Sequence, residues 1–363
     1  MTGITDVNVI ITKETAAVTQ AGFGLPLIVG TAGETGFDDL GYRVCENLSQ
    51  VAALVPAVEP EPGEEGEPGT PGTPGTAGTE VYKIAQKIFG QTPAPQKVAV
   101  VWLDLTNATT AIAGINEILA EGHNDWYFLL SDSQNAPIID AFAEFAAAND
   151  KIYFVSMTKE VLDALSPATT ANERAVGLAH KNAATQYPAE AFVGRCAPED
   201  PGSITWKFKS LNGIGVSGYN PTEIAAIKEK NCNVVVSQGG ILHTSEGVTF
   251  SGEYIDVIRS QDWVKARIAE NVFRLLATSP KIPYDDRGIA MVLSEVQGVM
   301  QQAVGMGIIA RDADGNGLWS VTAPRRGEIP TNEIANRTLP DVRFEFTLAG
   351  AIHNVTVKGV ISL

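Results

Sequence analysis

The sequence predicts a doubly wound α/β domain, a smaller α+β domain after it and an extended strand arm at each terminus, on three observations. Nearly continuous apolar runs recur at residues 24–33, 98–105, 126–132, 151–158 and 233–240, the texture of strands buried on both faces. Helical patterns separate them, and alternation of strand with helix builds a mostly parallel sheet covered on both sides. From Ser251 the texture changes to two long amphipathic helices followed by alternating strands, and each terminus reads as an amphipathic strand of its own.

Taken in order, residues 4–12 place Val7, Val9 and Ile11 on one side of an extended segment, with Asp6, Asn8 and Thr12 opposite. A strand so close to a terminus needs a partner to be ordered. Between the apolar runs, residues 109–121 and 136–150 are helical patterns; in the second, Ile138, Ile139, Phe142 and Phe145 recur at helical spacing. The long helix after Ser251 carries Ile258, Val264, Ile268, Val272 and Leu276 near one face and is closed by Pro280 and Pro283. A second helix spans 288–309 and ends in glycine. Strands are expected at 318–323 and 342–348, where Val342, Phe344, Phe346 and Leu348 alternate with polar residues. The chain finishes with Val355, Val357, Ile361 and Leu363 on one side of a last strand. The expected division is an arm at 1–20, the α/β domain at 21–240, the α+β domain at 241–350 and an arm at 351–363.

Residues 63–79 interrupt this pattern with glycine at every third position and proline at Pro68, Pro71 and Pro74. That is the collagen period, but six triplets give too few interchain contacts to order three chains. Residues 59–79 therefore read as a solvated, flexible loop inserted at a surface position of the α/β domain, where added length costs little closure entropy.

The chain has 363 residues, 44% of them hydrophobic, which is enough for two or three domains with real cores. Its net charge of −16 repels a phosphate backbone. The densest basic clusters, Lys207/Lys209 and Arg325/Arg326, are too small to offset that, so no nucleic-acid partner is expected. No signal peptide or membrane-spanning run is evident, so a soluble protein made in a cytoplasm, without direct membrane insertion, is expected. Cys45, Cys196 and Cys232 are scattered and odd in number; they suit a reducing compartment and read as small core residues.

The motifs that might carry chemistry are weak. Gly213, Gly215 and Gly218 spell GxGxxG, yet the preceding segment alternates apolar with polar, and Gln238 stands where an acid should hold a ribose. The loop from Asp312 to Gly317 mimics the first half of a calcium loop but has Ala323 in place of the bidentate glutamate, so a tight turn is expected. The four histidines are far apart, and no nucleophile–base spacing appears. The expectation is no catalytic residue, no cofactor and no metal. Asp256, Arg259, Asp262, Arg267 and Glu270 read as a solvated or ion-paired helix face.

Three regions together resemble the tail sheath proteins of contractile-tailed phages and the related tailocins, of the short type. They are VNVIITKETAAVTQAGFGLPLIVG near the start, TWKFKSLNGIGVSGYNPTEIAAIKEKNCNVVVSQGG in the middle, and EYIDVIRSQDWVKARIAENVF running on to FTLAGAIHNVTVKGVISL. Their order and spacing carry the likeness. The glycine-proline insertion has no counterpart in it, and the chain is short, so outer decorations are expected to be absent.

The resemblance implies a large domain of subtilisin-like topology without the active site, the middle region opening with a strand, and a C-terminal domain near the tail tube. It implies six subunits per ring, rings stacked helically around the tube, and partners in the tube, baseplate and tail terminator proteins of a virion. The terminal arms, with Val7, Val9, Ile11, Val355, Val357, Ile361 and Leu363, would complete sheets in neighbouring subunits. Gly22, Gly24 and Gly350 are candidate hinges where arm meets body, and Asp285, Asp286 and Glu295 are candidate tube-facing residues. Alternative readings are a tube or baseplate component and, from a different class, a Rossmann-like nucleotide-binding enzyme.

Overall fold

The computed structural model describes residues 22–32, 41–54 and 78–356. Arm residues Val7, Val9, Ile11, Val357, Ile361 and Leu363 lie outside these, as does nearly all of the glycine-proline tract.

The chain enters through β1 (Pro26–Thr31), β2 (Arg43–Cys45), α1 (Leu48–Ala52), α2 (Glu80–Phe89), β3 (Val98–Leu103), α3 (Ala108–Ala120), β4 (Phe128–Ser131), α4 (Ala136–Ala148), β5 (Ile152–Met157) and α5 (Lys159–Ala164). It continues through β6 (Ala175–Ala179), α6 (Ala183–Gln186), α7 (Pro188–Cys196), α8 (Pro221–Glu229), β7 (Asn233–Gln238) and β8 (Ile241–Thr244). These strands form one eight-stranded sheet in the order β2-β3-β1-β4-β5-β6-β7-β8. The six inner strands are parallel, and only the edge strands β2 and β8 run antiparallel to their neighbours. The five apolar runs of the sequence are β1, β3, β4, β5 and β7. β8 carries the sheet past the expected boundary at 240, to Thr244.

Successive strand residues point to opposite faces, so the sheet buries two separate cores. Ile28, Val100, Phe128, Phe154 and Leu178 meet α1, α2 and α7, with Trp206 packed among Phe128, Phe154 and Phe192. Leu27, Val101, Leu129, Tyr153 and Val155 meet α3, α4, α5 and α8 through Ile115, Phe142, Leu162 and Ile227. Side-chain caps start three of these helices: Thr79 caps α2, Asn107 closes a capping box on α3, and Asn220 does so on α8 with Glu223. Cys45, Cys196 and Cys232 are all buried and free.

The C-terminal module holds α9 (Ile255–Thr278), α10 (Asp286–Met306), β9 (Trp319–Thr322), α11 (Thr331–Ala335) and β10 (Arg343–Phe346). α10 is capped by Asp285 and ends at Gly307 in the left-handed region, φ 82°. Its core joins Trp263, Val264, Val299, Met300, Ala303 and Val304 to the inner sides of Trp319, Val321, Phe346 and Leu348. Two expectations fail here. Leu276, expected on the buried stripe of α9, is exposed, as is Phe273, because the module's core reaches along α9 only to Ile268. The strand implied between β6 and α8 is absent: residues 203–211 form no strand, and Phe208 in their midst has φ 61°.

Candidate functional site

The N-terminal half of α9 joins the two parts of the molecule: Ile255 and Ile258 enter the core of the α/β domain, and polar side chains beside them add specific bonds. Arg259 is 1% exposed. Its guanidinium donates to four backbone carbonyls, those of Phe23 (3.0 Å), Glu199 (3.0 Å), Cys196 (3.3 Å) and Ala197 (3.4 Å), and lies over the rings of Phe128 and Trp206. One turn on, Asp262 accepts a two-pronged bond from Arg174 at 2.7 and 2.8 Å and a third from the Tyr127 hydroxyl at 2.6 Å. Burial, with Asp262 beside it, pushes the Tyr127 hydroxyl well above its ordinary range, so it remains a donor. Of the solvated or ion-paired face expected here, Asp262 is ion-paired, with Arg174, whereas Arg259 is neither solvated nor paired with a carboxylate: donors fixed in a planar fork suit it to a cluster of backbone carbonyls.

The root of the N-terminal arm is part of this joint. Phe23, whose carbonyl Arg259 holds, packs edge-on to Tyr127 at 5.0 Å and lies under the Arg267 guanidinium at 5.8 Å. Gly24 sits inside the clamp, where a Cβ would come 3.2 Å from the Ala197 carbonyl oxygen; at Gly22 the nearest atom is 4.0 Å away. At the other arm, Gly350 has φ 32°, and Val355 is 76% exposed.

Between the arm roots stands an unfinished sheet. β9 and β10 pair antiparallel, Phe344 opposite Val321 and Phe346 opposite Trp319. The ribbon covers the α9/α10 pair with Trp319, Val321 and Phe346, while Ser320, Thr322, Arg343 and Glu345 are exposed. Among the described residues, no backbone bond from outside the pair reaches residues 320–322 or 343–346. Two strands alone are marginal in water, and each outer edge offers a row of unpaired donors and acceptors.

The proposed tube-facing residues all have partners within the chain. Asp285 accepts from the Gly288 amide at 2.9 Å, Asp286 accepts from the Arg326 amide at 2.7 Å, and Glu295 lies 3.5 Å from Arg274.

Chemistry elsewhere is thin. The glycine triplet lies in the loop between α7 and α8 with no strand before it, unlike the strand–turn–helix of a dinucleotide site. Asp312 Oδ1 accepts from the Asp314 and Asn316 amides, the closed turn its sequence implies. Among the described residues no three His, Cys, Asp or Glu side chains are grouped to hold a metal, and no helix is long and apolar enough to cross a membrane. A group that sequence reasoning missed is Glu190, fully buried, accepting from the Ser156 hydroxyl, which in turn accepts from the Ala189 amide at 2.9 Å. Burial pushes its carboxyl up to about 7. Only its place in the first turn of α7, over the carboxyl end of the sheet, sets it apart, and no local pattern announces that.

Residues 255–360 match the family described as E217 tail sheath protein gp31-like, C-terminal domain. A structure described as the sixfold-symmetrised baseplate of the anti-feeding prophage matches at TM-score 0.67 and 12% identity, covering 99% of this chain and 100% of the other. The PVC sheath complex of an extracellular contractile injection system, in its contracted state, matches at TM-score 0.63 and 10% identity, covering 99% and 98%. The sheath tail protein of Desulfitobacterium hafniense matches at 0.52 and 9% identity, covering 86% and 92%. A search of curated proteins by sequence finds no match. The chain thus resembles contractile tail sheath proteins, in fold over nearly its whole length and in sequence over its C-terminal module.

Proposed function

We propose that this chain is the repeating subunit of a contractile tail sheath, a structural protein and not an enzyme, needing no cofactor. Subunits polymerise as stacked sixfold rings around a tail tube, between a baseplate and a tail terminator, in a virion or virion-like particle assembled in the host cytoplasm. The observation that carries this reading is the unfinished β9–β10 ribbon beside the roots of both arms. Strands from neighbouring copies, led by Val7, Val9 and Ile11 at one terminus and Val355, Val357, Ile361 and Leu363 at the other, complete it through main-chain hydrogen bonds. Gly22 and Gly350 are the hinges, Gly24 being clamped within the body, and Asp285, Asp286 and Glu295 lie toward the tube. The large domain has the subtilisin-like topology of sheath proteins without its chemistry.

The extended sheath is metastable and held by a kinetic barrier. Contraction releases free energy as rigid domains rotate outward, while the arms preserve connectivity and the tube is driven through a bacterial envelope.

Negative-stain electron microscopy of the concentrated full chain, beside a chain lacking residues 1–12 and 354–363, tests the reading. Hollow tubes from the first and none from the second are expected; compact, dispersed particles from both would sink it. A baseplate component is the second reading, favoured because two similar structures are described as baseplates; it predicts closed rings of fixed size instead of tubes.

A further inference from the structure

The C-terminal arm leaves the molecule past a strained residue that the core does not explain. Phe208, in the loop between α7 and α8, has φ 61° and is half exposed. A bulky side chain seldom adopts that conformation, and where neighbours enforce it the cause is often functional. The enforcing bonds are present: Phe208 N donates to the Thr244 carbonyl at 3.1 Å, and the Thr244 amide donates to the Lys209 carbonyl at 2.9 Å. The effect is to set the Phe208 ring at the sheet edge, 5.3 Å from the His243 ring of β8 and under Lys207 Nζ at 5.2 Å, with its outer side open to the departing arm.

What it meets there is His353. The imidazole stands edge-on to Tyr254 at 4.8 Å and to Phe208 at 6.3 Å, and its Nε2 lies 2.8 Å from Thr205 Oγ1. Thr205 Oγ1 also accepts a long bond from the Lys207 amide at 3.4 Å, and its hydrogen and second lone pair let it bond either tautomer of the imidazole. Thr205 and Phe208 belong to the α/β domain and Tyr254 caps α9, so the socket straddles the two parts of the molecule and receives a residue from the arm. The apolar residues around His353 face away: Ile352 before it is 82% exposed, and Val355, two residues after it, is 76% exposed.

We infer that His353 is the positioning residue of the C-terminal arm: seated against Thr205, Tyr254 and Phe208, it fixes the arm to its own subunit and aims the chain beyond it, with Ile352 and Val355 outward, at a second copy. This rests on the reading of the chain as a self-assembling sheath subunit. It moves the pivot of the arm from Gly350 to the residues after His353, because the segment from Gly350 to His353 is held at both ends.

The test uses the full chain with a nitroxide attached through Asn354→Cys. Cys45, Cys196 and Cys232 are buried, and burial pushes the thiols of Cys196 and Cys232 up to about 12, so the label is selective. Thr205→Val and His353→Ala should each free the label, raising its mobile population about tenfold relative to the seated one, the effect of losing one hydrogen bond and its ring contacts. Thr205→Ser should restore the slow spectrum. Unchanged spectra in both variants would overturn the pin. On the same samples, Thr205→Val should form shorter or fewer tubes than the parent while its far-ultraviolet circular dichroism is unchanged. Parent-like tubes from a chain with a freed label would overturn the positioning role. If the parent forms no tubes, the sheath reading fails, and with it the aiming of the arm at a second copy; the label spectra still decide whether His353 is pinned.

Discussion

The α/β domain protects the edges of its sheet, whereas among the described residues the C-terminal module leaves the edges of its ribbon without backbone partners, and the same chain treats the edge problem in opposite ways. At one end of the large sheet β2 is only three residues long. At the other, the backbone of Phe208 and Lys209 covers β8 at Thr244, and Ser210 Oγ bonds the Leu242 carbonyl at 2.9 Å. Short strands and covered edges are how a sheet avoids pairing with strangers. β9 and β10 are short too, four residues each, but among the described residues no backbone from outside the pair covers their outer edges. Charge divides the same way: residues 255–363 hold twelve Lys or Arg and twelve Asp or Glu, so the whole net charge of −16 sits on residues 1–254. A strongly acidic body keeps copies apart in solution, while a neutral module with open edges is where they can join. The difference teaches that cohesion and bulk are assigned to separate regions, linked chiefly through α9.

That link is where the comparison is most easily broken. Arg259→Met keeps the side chain's bulk but removes the donor to the carbonyls of Phe23, Ala197 and Glu199, while that of Cys196 keeps its bond from the Glu199 amide at 3.3 Å. Leaving a buried acceptor without a donor costs about 1–3 kcal/mol for each such group. Chemical denaturation followed by tryptophan fluorescence should show a lower midpoint, with the module melting before the α/β domain. A single transition at the parent midpoint would show that Arg259 does not couple the two.

The next effect is confined to the α/β domain and depends on pH. Glu190 ionises near 7 in the folded chain and near 4.5 in the unfolded one. The folded state therefore keeps a proton that the unfolded state releases, and the stability of the domain falls as pH rises from about 4.5 to about 7, then levels off. The whole loss is at most about 3 kcal/mol. Glu190→Gln should flatten this slope, stabilising the protein at pH 8 with little change at pH 4; parallel stability–pH curves for the two proteins would refute the assignment.

How much of this was legible in the sequence follows from what each residue had to do. β1, β3, β4, β5 and β7 could be read because strands buried on both faces are apolar throughout. α9, α10, β9 and β10 could be read because one-sided burial writes a period. β6 was missed: Ala175-Val-Gly-Leu-Ala is poor in β-formers, and its small residues answer to packing. A Cβ at Gly177 would lie 2.4 Å from the Phe250 ring, a demand made by a residue far along the chain. Arg259, Asp262, Glu190 and His353 were illegible for a related reason. Each looks like an ordinary surface residue, and its partners, such as Phe23 and Arg174 or Ser156 and Thr205, come together only once the sheet has formed. The functional reading came from the order of three long segments and from amphipathic termini, signals that survive without knowledge of any pairing.

The smallest effect sharpens the comparison at the module's surface, because Asp285 has two separable roles. As the cap of α10 it accepts from the Gly288 amide; as a carboxylate it would offer charge to a tube. Asp285→Ala removes both and should cost about 1 kcal/mol, whereas Asp285→Asn keeps the cap, since asparagine serves there about as well, and should change stability by only a few tenths. Co-assembly with purified tube protein then reads the charge alone. If the Asn variant is as stable as the parent yet sheathes tubes poorly, the carboxylate faces the tube. If it sheathes them normally, Asp285 serves only its own helix. Asp286 and Glu295, already engaged by Arg326 and Arg274, would then be the next to reassign, and contact with the tube would have to come from the module's other exposed groups, such as Phe273 and Leu276 at the far end of α9.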